Sequence, residues 1–534
     1  MKDIHCEHIN YRDTGYFSKL MIDYIHDDDK LKEFYSHSVS VEGIKEAVAE
    51  RKRFSTPRRT LVDVLRMQYE NIGLTDLQEK NVELLLHENT FTICTAHQPN
   101  IFTGPLYFIY KIVHAIKLAD ELNQQIPENH FVPVYYMGSE DADLDELGHI
   151  VLNGEKLIWN TNQTGAVGRM NVDKNLLQLI DRIGGEIGVL PHGNDLIAIF
   201  RKAYSQGLSI QDATLVLVNE LFKTFGLLVV IPDNAYLKSH FNPIVKKELL
   251  EQFSHPLVEE TNKRIGQHYK VQAGGRDLNL FYLLNANRER IEKSGDIFQV
   301  KALGLTWTMQ EMLAEVEAHP ERFSANVILR PLFQETILPN IVFIGGGGEI
   351  AYWLELKKVF ESVNVPLPVL LLRNSFLQIT QKQKSITETL GFSVLDLFKE
   401  ENILQHSLTL ARTNNQIDIS KEIADLQTLY NQLTLLAEKV DVTLKEHTNA
   451  IKVKAVKRVE ALEKKMYRKE KKKISEEMNR LNKLKQDLFP GNGLQERVEN
   501  FSSFYSKYGN DWLRKLYASS PTLKQQFTVL YLQN

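Results

Sequence analysis

The segment from Thr95 to Leu106 has residue types suited to anion binding. It follows an apolar run that predicts a buried strand and leads into an amphipathic helix. Such a junction, at the carboxyl edge of a parallel sheet, is where α/β proteins hold ligands, and the helix N-terminus favours phosphate or carboxylate. We expect Thr103 to cap the helix and Pro105 to lie in its first turn. The residues expected to contact a ligand are His97, Gln98, Asn100, Thr103 and Gly104.

His97 and Asn100 are the candidate catalytic residues of this segment. Their spacing matches the HxxH or HxxN signature of class I synthetases and related nucleotidyltransferases, whose side chains stabilise charge on nucleotide phosphates. Pro99 stands where the usual glycine would be. The alternative is a turn whose polar side chains satisfy the backbone. We favour nucleotide binding because the segment lies at the first clear strand-to-helix junction.

An acidic segment follows the predicted strand Phe131–Met137. Asp141 and Asp143, which lie nearest this strand, could bind an amine, coordinate a metal or act as a base. Acidic residues are also common at helix N-termini, where they interact with the helix dipole. The sequence leaves both interpretations open, and we expect Asp145 and Glu146 to be solvated.

Four consecutive glycines begin another candidate segment, after a further predicted strand. They allow the backbone to approach a ligand closely, although tight packing of strand against helix explains them equally well. No Lys-Ser/Thr follows, which excludes a Walker A loop, and Ile350 replaces the last glycine of a GxGxxG fingerprint. The ligand-binding candidates here are Gly345, Gly346, Gly347, Glu349 and Tyr352.

Three arginines are candidates for binding a carboxylate. Arg276, Arg330 and Arg373 could each form two parallel hydrogen bonds with one, and the last two lie at the ends of predicted strands. A surface ion pair is the alternative for each. We predict no metal site, because the 16 histidines show no HExxH or similar ligand spacing. Cys94 lies inside a predicted strand and is expected to pack in the core.

Buried strands that alternate with helices must position these residues. Such alternation over residues 1–390 predicts a parallel, doubly wound α/β sheet. The intervals 150–225 and 233–325 leave room for inserted subdomains. The predicted strands are Phe91–Thr95, Phe131–Met137, Leu227–Ile231, Val327–Leu329, Ile341–Ile344 and Val369–Leu372.

Residues 391–490 predict a long α-helical coiled coil. No glycine or proline occurs over residues 392–489, where apolar residues recur at spacings of three, four and seven. One straight helix and an antiparallel hairpin turning near Lys445–Ala450 both fit this pattern. Pro490–Gly493 ends the helix. We expect residues 491–534 to form a C-terminal helical segment that packs on the core.

Composition narrows the class of protein. The chain of 534 residues is 43% hydrophobic and 25% charged, with a net charge of −4, as in ordinary globular proteins. Its two cysteines suggest a reducing compartment, and we recognise neither a signal peptide nor a membrane-spanning run, so we expect a cytoplasmic protein. The stretch Ile451–Lys473, with eleven Lys/Arg and three Glu, could hold RNA. Such a run is more often the solvated face of a coiled coil, so nucleic acid is not the expected partner.

Together these motifs resemble the bacillithiol biosynthesis cysteine-adding enzyme family (BshC) over the whole chain. The resemblance implies a Rossmann-like core with connecting insertions, related in plan to class I synthetases, and a coiled coil that pairs two subunits. The matching segments are Thr14–Leu20, Thr103–Tyr107, Tyr110–Lys111, Glu140–Asp143, Arg276–Tyr282, Gly345–Tyr352, Leu494–Arg497 and Tyr508–Gly509.

The resemblance also implies a ligase that condenses L-cysteine with glucosaminyl-malate to form an amide, the last step of bacillithiol synthesis. Amide formation needs an activated acyl group, so ATP or another adenine nucleotide is the expected cofactor. His97, Asn100 and the helix after Thr103 would hold phosphate, and Asp141 or Asp143 an amine. Many relatives carry glutamine at the position of His97, which favours a hydrogen-bonding role. Two alternatives stay open: another nucleotide-dependent ligase or nucleotidyltransferase, and a coiled-coil RNA-binding or scaffold protein.

Overall fold

Five apolar segments form one parallel sheet in the structure, a computed structural model that describes residues 5–533. The strands are β1 (Thr90–His97), β2 (His130–Met137), β3 (Leu228–Val230), β4 (Asn340–Gly345) and β5 (Val369–Leu372). Nearly all their residues are buried, which explains why β2, β3, β4 and β5 are mostly apolar runs; β1 differs in having three buried threonines. The order across the sheet is β5-β4-β1-β2-β3, and every neighbouring pair is parallel. The predicted doubly wound α/β sheet is confirmed.

The strand order reverses between β1 and β4. From β1 the chain adds β2 and β3 on one side, and it later adds β4 and β5 on the other. Helix α1 (Tyr107–Gln125) follows β1, whereas α2 (Arg330–Ile337) precedes β4 and α3 (Gly347–Leu354) follows it. In a sheet of this kind the crevice outside the carboxyl ends of the two central strands is the usual ligand site.

Helix α1 is buried on almost every side, because its sequence is apolar nearly all round. Leu118 and Leu122 pack in one cluster with Phe91 of β1 and Ile341 of β4. Full burial of such a side chain stabilises the fold by about 1.5–3 kcal/mol. Cys94 is also fully buried in β1, as expected for a packing residue.

The predicted strand Val327–Leu329 is wrong. These residues form a turn, and the nearby strand is Phe323–Ala325, which pairs antiparallel with Leu280–Leu284. Asn326 ends the strand, since its Oδ1 accepts hydrogen bonds from the backbone N–H of Ile328 (2.9 Å) and of the residue after it (3.4 Å). Arg330 consequently lies at the start of α2 and not at the end of a strand.

Two long insertions separate the strands of the central sheet. The first, between β2 and β3, holds a hairpin and three long helices: His149–Leu152, Glu155–Ile158, Lys174–Ile187, Gly193–Ala203 and Ile210–Phe222. The second, between β3 and β4, contains the helices Ala235–Ser239, Asn242–Glu251, Ser254–Ile265 and Met309–Ala318. It also contains two three-stranded sheets, Phe323–Ala325 with Leu280–Leu284 and Asn287–Arg290, and Leu305–Thr308 with Ile297–Val300 and Glu292–Ser294.

The chain divides into two units, here called the core unit and the helical unit. The core unit comprises the described residues up to Leu377 together with Leu494–Leu530. Its remaining helices are Tyr11–Thr14, Lys19–Ile25, Val41–Arg51, Arg58–Tyr69, Asp76–Leu84, Lys357–Glu361, Ser502–Tyr508 and Asn510–Ser519. The C-terminal segment is not wholly helical, because its end forms the strand Phe527–Leu532, whose residues up to Leu530 pair with Cys6–Ile9.

The helical unit comprises Gln378–Gly493 and the described residues after Leu530. It begins before residue 391, with the helix Gln381–Leu390. The helices that follow are Glu401–Arg412, α4 (Ser420–Val440), α5 (Thr443–Lys473) and α6 (Ser475–Leu488), and the last of these ends just before Pro490 as predicted.

Helices α4 and α5 form an antiparallel hairpin, so the single straight helix is excluded. Lys445 pairs with Glu438 (2.8 Å) and Lys452 donates to Asn431 (3.0 Å), which fixes the antiparallel register. The turn lies at residues 441–442, before the predicted position near Lys445–Ala450. Asp441 breaks the helix there, because its carboxylate accepts hydrogen bonds from the backbone N–H and hydroxyl of the residue two positions on.

Candidate active site

A cavity of about 620 Å³ lies outside the carboxyl ends of the central strands. Its walls come from the residues that follow β1, β2 and β4, from the second insertion and from the C-terminal segment of the core unit. The following predicted site residues line it: His97, Gln98, Asp141, Arg276, Arg330, Gly346, Gly347, Glu349, Tyr352 and Arg373. The structure therefore brings together side chains that are up to 276 positions apart in the chain.

Asn100, Thr103 and Gly104 do not line the cavity. Both polar side chains are buried, and the predicted N-cap role of Thr103 is wrong because α1 begins only at Tyr107. A short 3-10 turn intervenes, with a φ of 68° at Thr103 and 64° at Gly104. Asn500 holds this loop by donating to the carbonyl oxygens of residue 102 (2.9 Å) and Gly104 (2.6 Å).

Two further predicted residues also lie away from the cavity. Asp143 is exposed and caps the short helix Leu144–Leu147, its Oδ1 accepting from the backbone N–H of Glu146 at 3.0 Å. Gly345 ends β4, where an added Cβ would lie 2.8 Å from the ring of Phe343. Both positions therefore fit the structural alternatives that the sequence left open.

Asp141 lies at the cavity between two polar neighbours. Its Oδ2 accepts a hydrogen bond from the Gln98 side chain (3.1 Å), and its Oδ1 accepts one from the backbone N–H of Asp143 (3.1 Å). The adjacent Glu140 is ion-paired with the buried Lys238 and accepts from Ser324 (2.7 Å). Of these two carboxylates, Asp141 is the one that has no cationic partner among residues 5–533.

His97 lies on the cavity wall as a neutral hydrogen-bond donor. Its Nδ1 accepts the backbone N–H of Gln98 at 2.7 Å, which assigns the ring hydrogen to Nε2. The imidazole stacks on Tyr107, with 5.3 Å between centroids and an interplanar angle of 3°. Burial, followed by the nearby Lys111, lowers the pKa of His97 to about 3. The side chain can therefore donate from Nε2 to a ligand oxygen.

An ion pair spans the crevice between the strands on either side of the reversal. The side chain of Lys111 in α1 is 3% exposed and pairs with Glu349 of α3, whose side chain is 27% exposed. Lys111 also donates to the carbonyl oxygen of Ala96 (2.8 Å), and Glu349 accepts from the backbone N–H of Gly346 (2.8 Å). Burial lowers the pKa of Lys111, while Glu349 acts in the opposite direction. This pair fixes the glycine loop against α1.

Arg373 already forms an ion pair with a carboxylate of the core unit. Its Nη2 donates to Glu496 (2.7 Å), a fully buried residue, and its Nη1 donates to Ser375 (3.2 Å). Its guanidinium lies 5.1 Å from the centre of the Tyr107 ring. Arg373 thus holds the C-terminal segment to the strand edge and has limited capacity to clamp a ligand.

Five other arginines of the cavity have no carboxylate partner among residues 5–533. Arg330 donates to the hydroxyl of Tyr352 and to Gln334, both at 3.0 Å. Arg288 donates to Ser324 (2.9 Å) and stacks on a phenylalanine ring. The remaining three are Arg276, Arg290 and Arg497. Arg288, Arg290 and Arg330 are partly buried, where a charge without a partner is costly, whereas Arg276 and Arg497 are exposed. The set therefore favours a ligand with several negative charges.

Sequence reasoning missed four of the cationic residues: Lys111, Arg288, Arg290 and Arg497. Lys111 could have been noticed as the single lysine of an otherwise apolar turn of α1. Arg288 and Arg290 are two positions apart in the strand Asn287–Arg290 and therefore share one face. For Arg497 only the family resemblance gave a signal, because its segment has no periodic pattern.

Two features are not found in the described part of the chain. No three His, Cys, Asp or Glu side chains of residues 5–533 are grouped so that they could hold a metal ion. Within the same range, every helix is too short or too polar to cross a membrane.

Comparison with known proteins places matches along nearly the whole chain. Residues 4–374 match the family model "Bacillithiol biosynthesis BshC, N-terminal Rossmann-like domain", and residues 376–532 match its "C-terminal coiled-coil domain". Proteins named "Putative cysteine ligase BshC" from Flavobacterium johnsoniae and Christiangramia forsetii are both 40% identical, over 98% of this chain and 99% and 98% of their own. One from Cytophaga hutchinsonii is 36% identical over 94% of this chain and 95% of its own.

Among solved structures, one described as a "putative arginyl t-RNA synthetase" from Campylobacter jejuni is 11% identical. It matches over 84% of this chain and 95% of its own, with a TM-score of 0.23, a likeness too slight to bear on the site.

Proposed function

This chain belongs to the bacillithiol biosynthesis BshC family, and on that premise we propose that it joins L-cysteine to glucosaminyl-malate in the last step of bacillithiol biosynthesis. The bond formed is an amide between the carboxyl group of cysteine and the amino group of the sugar. The observation that carries this proposal is the set of arginines without carboxylate partners in the cavity. A malyl group brings two carboxylates, which such a set would bind by charge-assisted hydrogen bonds.

The cysteine carboxylate must be activated before an amine can attack it, and we propose that ATP does this. A carboxylate oxygen attacks the α-phosphorus and pyrophosphate leaves. The sugar nitrogen then attacks the acyl carbon, AMP departs with the bonding electrons, and the amine loses a proton. The cavity suits both steps, because its cations and the His97 Nε2–H can stabilise charge on phosphate and carbonyl oxygens.

Asp141 is the proposed amine-binding residue. It lies at the cavity and has no cationic partner in the described part of the chain, whereas Glu140 and Glu349 are paired with Lys238 and Lys111. Its carboxylate could accept a hydrogen bond from an N–H of the neutral sugar amine and orient the nitrogen lone pair toward the acyl carbon. The Gln98 side chain, at 3.1 Å, would fix the orientation of that carboxylate.

The assay uses the purified full chain with L-cysteine, glucosaminyl-malate and ATP. We expect bacillithiol in the mass spectrum, with AMP and pyrophosphate formed in equal amounts. Glucosamine without the malyl group is the matched control acceptor, and its KM should be far higher. Equal use of both acceptors would contradict the assignment of the arginines. ATP binding without turnover of glucosaminyl-malate would favour another nucleotide-dependent ligase.

A genetic test addresses the pathway directly. Deletion of the gene should abolish bacillithiol and let glucosaminyl-malate accumulate in the source bacterium, as thiol metabolite profiling would show. Unchanged bacillithiol, with no second copy of the gene, would refute the proposed step.

The proposal includes a homodimer formed through the α4–α5 hairpin. Leu429, Leu433, Leu436 and Val440 of α4 follow the spacing of a coiled-coil seam and are 42% to 81% exposed, so α5 does not cover them. A second copy would bury these side chains. Leu433→Gln with Leu436→Gln should give monomers by light scattering, whereas Leu435→Gln, an exposed leucine off this seam, should not. Dimers in both variants would exclude the seam as the interface.

The RNA-binding alternative gains little from the helical unit. In the basic stretch Ile451–Lys473 the single aromatic residue is Tyr467, and its ring lies against His406, with 5.3 Å between centroids. Stacking on bases would need exposed aromatic faces.

A further inference from the structure

The segment Gln272–Asn279 runs along the rim of the cavity without regular secondary structure. Three of its residues, Gly274, Arg276 and Leu278, line the cavity. Arg276 is exposed and has no ion-pair partner in the described part of the chain. Whatever fixes this segment therefore decides where its guanidinium lies.

Glu355 holds the first end of the segment. It follows directly after α3 and is fully buried. One carboxylate oxygen accepts the backbone N–H of Gln272 (2.7 Å) and the other that of Ala273 (2.9 Å). None of the Lys, Arg or His residues described in the structure pairs with it. Its negative charge is stabilised by two backbone donors alone.

Glu248 holds the other end and is better satisfied. It accepts the backbone N–H of Asn279 (3.0 Å), and it also accepts the backbone N–H and hydroxyl of Ser254 (3.2 and 2.8 Å). Asn279 in turn accepts from the backbone N–H of Arg276 (3.2 Å) and from Asn326 (2.7 Å). At the end near Gln272, the one bond besides those of Glu355 that involves Gln272 or Ala273 and reaches beyond residue 270 runs from the Asn262 side chain to the carbonyl oxygen of Ala273 (2.8 Å), among the described residues. The end at Asn279 is thus fixed by more bonds than the end at Gln272.

We propose that Glu355 is a positioning residue of the site: its ionised carboxylate holds Gln272 and Ala273 so that Arg276 reaches the bound anion, and its protonation releases this end of the segment. The part played by Arg276 rests on the proposed function; the release of the segment does not. A protonated carboxyl group turns one of its two oxygens into a donor, which then faces a backbone N–H and loses that hydrogen bond.

The surroundings of Glu355 favour such a switch near neutral pH. Burial raises the pKa of Glu355 to about 7, against the lowering effect of its two backbone donors. Charged groups on the neighbouring elements are engaged elsewhere: Lys358 pairs with Glu260, Lys357 donates to the carbonyls of Glu33 and Tyr35, and Lys19 pairs with Asp23. His255 also lies beside the segment, against Gly275, with its Nε2 3.8 Å from Asp277.

The first test is hydrogen exchange at the amides of Gln272 and Ala273 in the full chain. After correction for the intrinsic pH dependence of exchange, their protection should fall between about pH 8 and about pH 6. Glu355→Gln, which keeps the shape of the side chain, should show low protection at both values. His255→Gln is the control and should keep the wild-type profile. Equal protection in Glu355→Gln and wild type, or a pH profile abolished by His255→Gln, would overturn the proposal.

The second test uses L-malate as an anionic probe and glucosaminyl-malate as the substrate. Loss of one hydrogen bond predicts a rise of roughly 2- to 10-fold in the Kd of malate and in the KM of the substrate, with kcat unchanged. In Glu355→Gln this rise should be present at every pH. A fall in kcat with unchanged KM would overturn the positioning role. If hydrogen exchange changes with pH as expected but the chain shows no ligase activity, the pH-dependent release of the segment would stand and only the proposed function would be refuted.

Discussion

Removal of Glu349 from the Lys111–Glu349 pair should lower the stability of the core unit more than removal of Lys111. In Glu349→Gln the Lys111 side chain, which is 3% exposed, keeps its hydrogen bond to the carbonyl oxygen of Ala96, but its ammonium group loses the negative charge that pairs with it. Breaking a buried pair costs about 3–5 kcal/mol, and since Glu349 is partly exposed we expect about 2–4 kcal/mol here. Lys111→Met leaves a carboxylate that water can reach, so its cost should be about 1–2 kcal/mol.

The double variant Lys111→Met/Glu349→Gln should lose less stability than the sum of the single variants. Both charges are then absent, and a coupling of about 2 kcal/mol is expected from the double-mutant cycle. The stability of Glu349→Gln should also rise with pH. Burial lowers the pKa of Lys111 below that of the unfolded chain, so the unfolded state binds more protons and deprotonation favours folding.

Tryptophan fluorescence during urea unfolding provides the assay. All four tryptophans, Trp159, Trp307, Trp353 and Trp512, belong to the core unit, so the signal reports on that unit alone. Lys32→Met, which removes an exposed ion pair with Asp29, is the control and should leave the midpoint unchanged. Additive losses in the double variant, or a larger loss in Lys111→Met than in Glu349→Gln, would refute the reasoning.

Three other outcomes follow from named contacts. Arg330→Met should raise the KM for glucosaminyl-malate roughly 10- to 100-fold, because a charge-assisted bond is worth about 1.5–3 kcal/mol, and steady-state kinetics with Arg330→Lys as partial rescue would check it. Lys238 and Arg169 lower the pKa of Asp233 to about 2 against the effect of burial. The ionised carboxylate should therefore add about 2 kcal/mol to the free energy of unfolding above pH 4, and this contribution should be lost as the pH falls toward 2. Acid unfolding of the wild type and of Asp233→Asn, which lacks the contribution already at neutral pH, measures the difference. Leu122→Ala should lower the free energy of unfolding, measured in urea, by about 2–5 kcal/mol. A smaller loss would mean that the neighbouring side chains of the cluster move into the space left by the leucine.

The sequence predicted those parts of the fold that depend on local pattern. The apolar runs of all five strands, β1 to β5, were found because strands buried on both faces need such residues. Val327–Leu329 is equally apolar, but the side chain of Asn326 captures its backbone N–H groups and starts a helix instead. The hairpin turn was placed too late for a similar reason, since Asp441 ends α4 without any glycine.

The site was predictable mainly where it lies near the end of a strand. His97 is the last residue of β1, and Asp141 and Glu349 lie four residues after the ends of β2 and β4, so the strand order brings them together. Arg290 and Arg497 reach the same cavity from antiparallel strands and from the C-terminal segment, whose positions depend on long-range packing. A pattern along the chain contains no information about such contacts.

The way the C-terminal segment supports the first strand-to-helix junction sets an order of events during synthesis. Asn500 holds the loop after β1, and Glu496 holds Arg373, yet both are translated after Gln378–Gly493, the main part of the helical unit. A nascent chain can therefore complete its long hairpin before the cavity has its final walls. A product shortened by premature termination before residue 494 would keep the central strands but lack the contacts made by Glu496 and Asn500. Such fragments should be inactive and exposed to proteases, so that the cell accumulates full-length protein.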